Sequence, residues 1–499
     1  LHPGTSLATA ADYENFIFRG EALTSEGAEA ALLFHSDGES GYEITLRNGA
    51  QDGSIKTGSL RSVRNLYRSL AADGEWFDFE VAVRGKNVAV KVNGVDVVCY
   101  TEPEKPYRTE AHATKLIGKG KDKKGIVWVA RRVPDGYICA HANQARITTF
   151  PLNDPENCLY APDVISFARE KGYFSGKDEE FSFADAYAPL DFGAMRACEA
   201  RVWSFFRTFA TDMDKYYDFA MGLNKDNRMP LWVKPVRKIS PKQVFDAMRD
   251  HYEGTPMDMT QDIGAGGHGL PYRWRPMNFE VDGKTYLNER ATATQQTGFW
   301  LCGQAREGKT GILWFGMDDA ATSCLTPIYC NTTAVPECMA EGNGSMLDYS
   351  DSSAFWLFNR VTNFAYLRYD MMSKDIRKVV DYWENAMLED VNAVDAQMAG
   401  LATKAQKKIA TEYSITKANE LFGNWSRLDK YLLLKYVDGN LKSEHADVLS
   451  YVIEAKTSSE HFVDNGNGKK IPGKIQYPGY NERWKRAVAK DNGLRLLSR

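Results

Sequence analysis

The sequence predicts an α+β fold in which strands gather towards the N-terminus and helices gather later, rather than alternating. Three observations carry this. Runs between Ala31 and Tyr100 alternate apolar and polar residues, the period of half-buried strands. Residues 101–125 are polar and rich in Pro, Lys and Gly, a composition shift that reads as a boundary. Beyond it, apolar residues recur at helical spacing, as at Ile376, Val379, Val380 and Trp383. The expected organisation is a β-sandwich or jelly roll over residues 1–115 and a mixed body over residues 116–499.

Phe77, Phe79, Val81 and Val83 alternate along one strand, and Arg84-Gly85-Lys86-Asn87 makes a turn. Val88, Val90 and Val92 mark the next strand. Asn93-Gly94 favours a type I′ hairpin leading into a strand from Val95 to Tyr100. Tyr42 to Leu46 and Ala31 to Phe34 add two more. After the boundary, Ile126 to Arg132 predicts a strand, Pro134-Asp135-Gly136 a turn, and Tyr137 to Asn143 the return strand. Val164 to Lys171 and Ala194 to Phe209 predict helices. A helix from Pro241 to Tyr252 has Ser240 as its N-cap and Pro241 at its first position. Ala291 to Cys302 and Gly311 to Met317 predict paired strands. Ser373 caps a long helix, and helical segments continue to about Tyr436. The stretch after Asp464, rich in Gly, Pro, Asn and Lys, predicts an irregular surface tail.

Hydrophobic residues make up 43% and charged residues 26%, an ordinary globular balance. A net charge of −4 gives no field that would gather nucleic acid or an anionic membrane. No apolar run reaches the roughly 18 residues of a membrane span, and no signal peptide stands at the start. The chain opens on Leu1 rather than Met, so a leader can precede it. Eight cysteines form no CxxC pair, which argues against zinc ribbons and thioredoxin-type motifs. Cys330 and Cys338 are spaced to bridge a short loop, or else are buried free thiols.

Residues Gly264 to Gly269 fit GxGxxG, but Pro271 follows at once and no βαβ unit surrounds them, so a loop is expected there. The eight histidines show no HExxH or HxxxH spacing, and there is no GxSxG elbow and no P-loop. No metal and no cofactor are expected. Two acidic clusters stand out: Asp258 with Asp262, and Asp318 with Asp319. Each reads as solvated loop carboxylates, or as a site for a substrate's α-ammonium group.

Several long segments are distinctive: GIVWVARRVPDGY from Gly125, HANQARITTFPLNDPEN from His141, DHYEGTPMDMT from Asp250, NERATATQQTGF from Asn288 and ILWFGMDDAATS from Ile312. Through them, the chain from Leu116 onward resembles the dipeptidase family of cysteine-type N-terminal-nucleophile hydrolases, relatives of choloylglycine hydrolase and penicillin V acylase. The resemblance implies an αββα fold, two stacked antiparallel sheets between helical layers. It implies short peptides with a free amino terminus as substrates. An N-terminal cysteine would attack the peptide carbonyl, with its own α-amine as base. By the same resemblance, Asn143 presents its side-chain amide to the oxyanion and Arg201 supports the nucleophile. Asp258 and Asp262 are the candidates for substrate binding. On the residues alone, Asn143 is equally a strand-end residue bonding its own turn, and Arg201 a helix-surface ion pair.

The family's first segment, with its nucleophilic cysteine, has no counterpart here, so the αββα domain is expected to be incomplete. All eight cysteines are internal, and Cys139, beside Asn143, reads as a core thiol. The missing segment would have to come from elsewhere, a second chain included. GYEITLRNG from Gly41, DGEWFDFEVAVRGKNVAVKVNG from Asp73 and YTEP from Tyr100 resemble a different family. These are concanavalin-like sandwich domains called 3-keto-disaccharide hydrolase or domain of unknown function, here a partial sandwich. The alternative function is therefore glycan binding, without catalysis or with sugar hydrolysis through Glu43 and Asp78. Tyr42, Trp76, Phe77 and Tyr100 would stack on sugars or pack the core. Both resemblances imply a bacterial protein that is secreted or periplasmic.

Overall fold

A computed structural model describes residues 9, 12–35, 41–49, 55–61, 63–66, 68–101, 127–442, 447–456, 462–464, 470–472 and 475–491. The expected boundary lies outside these residues beyond Thr101. The chain forms two compact units. The first comprises Leu1–Ala113, Ile328–Trp356 and Val394–Phe422, and the second Thr114–Pro327, Leu357–Ala393 and Gly423–Arg499. The architecture is α+β, with a sheet-rich N-terminal part.

The first unit contains strands β1 (Phe16–Leu23), β2 (Ala30–Phe34), β3 (Tyr42–Leu46), β4 (Trp76–Arg84), β5 (Asn87–Val92) and β6 (Val95–Thr101). An antiparallel sheet runs β1-β4-β5-β6, and β2 pairs with β3. Phe77, Phe79, Val81 and Val83 are buried, as the alternation along β4 required. They pack with Ile44, Leu60 and Val90 in one apolar cluster. Asn93 and Gly94 both have positive φ, 49° and 76°, the geometry of a type I′ turn. Strand β1 was not anticipated, because few of its side chains are buried and its alternation is weak. Gly20 on β1 faces Phe79, and a Cβ there would come within 3.1 Å of the ring.

In the second unit, β7 (Val129–Arg131) follows the expected position, but the predicted hairpin does not form. β7 pairs instead with β9 (Cys158–Tyr160), and β8 (Ile138–Cys139) pairs with β10 (Trp232–Val233). The helices Val164–Glu170 and Ala200–Phe209 form as read, the latter preceded by a π-helical turn over Ala194–Glu199. The helix Pro241–Ala247 has the expected cap: Gln243 N–H donates to Ser240 Oγ at 3.3 Å, and Ser240 N–H to Gln243 Oε1 at 3.0 Å. It ends before Tyr252, because Arg249 and His251 turn into the interior and Tyr252 takes φ 64°.

Strands Phe299–Gln304 and Ile312–Met317 pair antiparallel, but Ala291 to Gly298 form turns rather than strand. Ser373 is not a cap. The helix spans Tyr369–Met398 and Ser373 lies within it, donating its hydroxyl to the Tyr369 carbonyl. A helix Thr403–Tyr436 follows. Trp425 is fully buried and stacks on Phe358, ring centroids 4.4 Å apart and 6° from parallel. The tail is not wholly irregular, since Glu482–Lys490 is a helix capped by Asn481. Among the described residues no helix is long and apolar enough to cross a membrane.

Candidate functional site

The loop after β8 carries Asn143, whose φ of 62° suits a short polar side chain. Arg146 holds this loop in place. Its guanidinium donates to the carbonyls of Ala140, Leu231 and Pro230, and its Nε lies 3.0 Å from Glu199 Oε2. Arg146 and Glu199 are 5% and 3% exposed, a buried ion pair with most donors satisfied. Nothing in the lone sequence marked Arg146 out, because its partners are distant backbone carbonyls.

Arg201 stands one turn after Ala197 on the adjoining helix. Its Nε donates to the Ala197 carbonyl at 2.8 Å. Its Nη2 donates to Asn143 Oδ1 at 2.9 Å and to the Ala142 carbonyl at 3.3 Å. Two of the expected site residues therefore meet, and Arg201 makes no surface ion pair among the described residues. Cys198 is half-buried beside them, and Cys139 is exposed rather than a core thiol. All eight cysteines are free, so Cys330 and Cys338 form no bridge; Cys330 is exposed and Cys338 buried.

Below Arg201, Tyr252 is fully buried and donates its hydroxyl to the Arg290 carbonyl at 2.7 Å. The Arg290 guanidinium is held below the usual arginine range by burial and by the charges of Arg201 and Arg275. The neighbouring carboxylate, Glu289, is taken by Arg196 at 2.6 Å.

Asp258 and Asp262 do not join this group. Asp258 accepts from the Thr260 N–H at 2.9 Å and from the Thr260 hydroxyl at 2.6 Å, which shapes its own turn. Asp262 caps the 3₁₀ turn Ile263–His268 and pairs with Arg273. The GxGxxG segment is thus a capped turn, as its surroundings suggested.

Asp318 and Asp319 are not solvated but buried, 1% and 0% exposed. Burial pushes the Asp318 carboxyl up to about 7, with the adjacent Asp319 adding repulsion. Asn359 donates to Asp318 at 2.6 Å, and Tyr272 donates to Asp319. Burial likewise pushes Asp250 up to about 6. His251 is 1% exposed, with Nδ1 at 2.9 Å from Glu253 Oε1. Burial opposes its charged form, but the carboxylates of Glu253, Asp319 and Asp250 together outweigh this and the imidazole titrates above its usual value.

A cleft of about 560 Å³ is lined by Arg249, His251, Glu253, Lys374, Arg377 and Asp381 among others. It includes none of Asn143, Arg201, Asp258 or Asp262. Every charged side chain on its wall except Lys374 has an ion-pair partner among the described residues. Such a wall is internally neutralised. By contrast, Arg201, Arg275 and Arg290 have no carboxylate partner among the described residues. Among the described residues no group of three or more His, Cys, Asp or Glu side chains could hold a metal ion.

In the first unit, Phe77 is buried and Trp76 is 70% exposed. Tyr42 stacks on Phe34 and meets Tyr100 edge-on. Glu43 is paired with Arg61 at 2.9 Å.

Comparison with known proteins gives two family matches. The profile of peptidase family C69 matches residues 110–382, more than half of the chain. That of a 3-keto-alpha-glucoside-1,2-lyase-like domain matches residues 1–139. A probable dipeptidase of Salmonella dublin is 28% identical over 175 residues, covering 35% of this chain and 38% of the relative. Dipeptidase A of Lactobacillus helveticus is 23% identical over 239 residues, 48% of this chain and 45% of the relative. A probable dipeptidase of Latilactobacillus sakei is 19% identical over 296 residues, 58% of this chain and 57% of the relative. The chain thus spans roughly half the length of these curated relatives or less.

Proposed function

The chain belongs to peptidase family C69, and from that premise we propose that it takes part in the hydrolysis of dipeptides at the Asn143–Arg201 site. The observation that carries the reading is the hydrogen bond from Arg201 to the Asn143 side-chain carbonyl. It engages the amide oxygen and so leaves the Nδ2 donors of Asn143 for an oxyanion.

The reaction is that of an N-terminal-nucleophile hydrolase. A cysteine thiolate attacks the peptide carbonyl carbon, and the carbonyl electron pair moves to oxygen, facing Asn143. The C–N bond then breaks, and the leaving amine takes the proton that the cysteine's α-amine removed from the thiol. Water cleaves the thioester and returns the thiol. In this reading the attacking cysteine belongs to the family's first segment, which the resemblance implies and these residues do not match. The relatives' names supply the substrate class.

The test is intact mass and N-terminal sequencing of the purified protein, then a dipeptide hydrolysis assay on the same sample with and without a thiol alkylating agent. Hydrolysis that depends on a cysteine-led segment, covalent or as a separate subunit, is the expected result. Hydrolysis by the 499-residue chain alone that survives alkylation would overturn the mechanism. Absence of cleavage with a cysteine-led segment present would overturn the function.

A further inference from the structure

Arg201 holds the Asn143 amide, and the Arg290 guanidinium feels the charges of both Arg201 and Arg275, its chain neighbour Ala291 sharing one apolar core with Tyr252 and Ala142. Arg201 spends its donors on Asn143, Ala142 and Ala197, all uncharged. Arg275 donates to Gln296 at 3.0 Å. Arg290 has a buried Nε with no hydrogen-bond partner. Glu289 cannot serve them, because Arg196 already holds both its oxygens. Among the described residues, no carboxylate stands within ion-pair distance of Arg201, Arg275 or Arg290.

The cluster is built rather than incidental. Tyr252 fixes the Arg290 backbone through its hydroxyl. Asn288 ties the adjoining strand to the segment of Arg275, donating from Nδ2 to the Trp274 carbonyl at 3.0 Å and from its N–H to Met277 at 2.7 Å. Arginine does not deprotonate in proteins, so a half-buried, unpaired guanidinium remains a standing cost until an anion arrives. Its planar fork matches a carboxylate.

A dipeptide supplies such an anion at a fixed offset. Its terminal carboxylate lies one residue beyond the scissile bond, about 3.8 Å along the chain. A longer peptide places a neutral amide there. We propose that Arg290, with Arg275 at the rim, binds the free C-terminal carboxylate of the peptide whose scissile carbonyl faces Asn143, and so restricts the site to dipeptides. The inference rests on the peptidase reading above and names what that site selects.

The experiment is calorimetric binding to the thiol-alkylated protein of Ala-Ala, of Ala-Ala amide and of Ala-Ala-Ala, with Arg290→Gln and Arg290→Lys alongside wild type. Wild type should bind Ala-Ala at least tenfold more tightly than its amide. R290Q should bring Ala-Ala down to the level of the amide and leave amide binding unchanged. R290K should restore part of the difference, which a merely misfolded variant would not do. Equal affinities for acid and amide in wild type, or a loss in R290Q shared alike by both ligands, would overturn the carboxylate subsite and leave the peptidase reading standing. If no peptide binds and none is cleaved, both fall together.

Discussion

Arg201 donates to the side-chain carbonyl of Asn143 at 2.9 Å, across 58 residues of sequence. Because arginine only donates, the contact fixes the orientation of the amide. Asn143 also occupies a left-handed backbone position, φ 62°. Orientation and backbone together make the amide a preset donor.

Asn143→Gly keeps that backbone conformation while deleting the donor. In a preparation that cleaves dipeptides, kcat should fall by about 10²–10³-fold, the usual effect of removing an oxyanion donor. The melting temperature should change little. A kcat within about twofold of wild type would remove Asn143 from the site.

Glu199→Gln tests the clamp beneath this loop. It leaves the Arg146 guanidinium buried without its counter-charge, since the two side chains are only 5% and 3% exposed. Breaking one partner of a buried pair costs about 3–5 kcal/mol. Urea denaturation should show a midpoint lowered accordingly, and a shift under about 1 kcal/mol would contradict the burial.

Asp318 should make stability pH-dependent. Its folded-state carboxyl titrates at about 7, against about 4 in an unfolded chain. A group raised in this way stabilises the fold below pH 4, and that contribution is lost as pH rises towards 7. Asp318→Asn removes the titration but can still accept from Asn359. Relative to wild type, D318N should therefore gain stability between pH 4 and 8, by about 4 kcal/mol at most. Parallel stability curves for the two proteins would show that Asp318 ionises normally.

Trp425→Ala removes a fully buried indole stacked on Phe358. The expected loss is about 3–5 kcal/mol, read from chemical denaturation. Collapse of the neighbouring side chains into the space would reduce it.

Native-state alkylation followed by peptide mass mapping should label Cys99, Cys139 and Cys330 first, all exposed. Cys158, Cys324 and Cys338 should react far more slowly. All three are buried, and burial pushes their thiols up, Cys338 to about 11. Rapid labelling of Cys324 would indicate that its surroundings open in solution.

Local pattern determined a good deal of this protein. Strands β4, β5 and β6, the I′ turn at Asn93-Gly94 and the Ser240 cap all follow from signals within a few residues, because backbone geometry and one buried face suffice to specify them. Tertiary structure decided which strands pair. β7 and β8 flank a turn but take partners from later in the chain, since two- and three-residue strands carry too little pattern to fix register. It also decided the state of the acids. Asp318 and Asp319 are as polar in sequence as Asp258, yet only they are fully buried, because Tyr272 and Asn359 arrive from distant segments to receive them. The meeting of Asn143 with Arg201, and the unbalanced charge around Arg290, belong to the same class: electrostatics depends on distance in space, and the order of residues along the chain does not encode it.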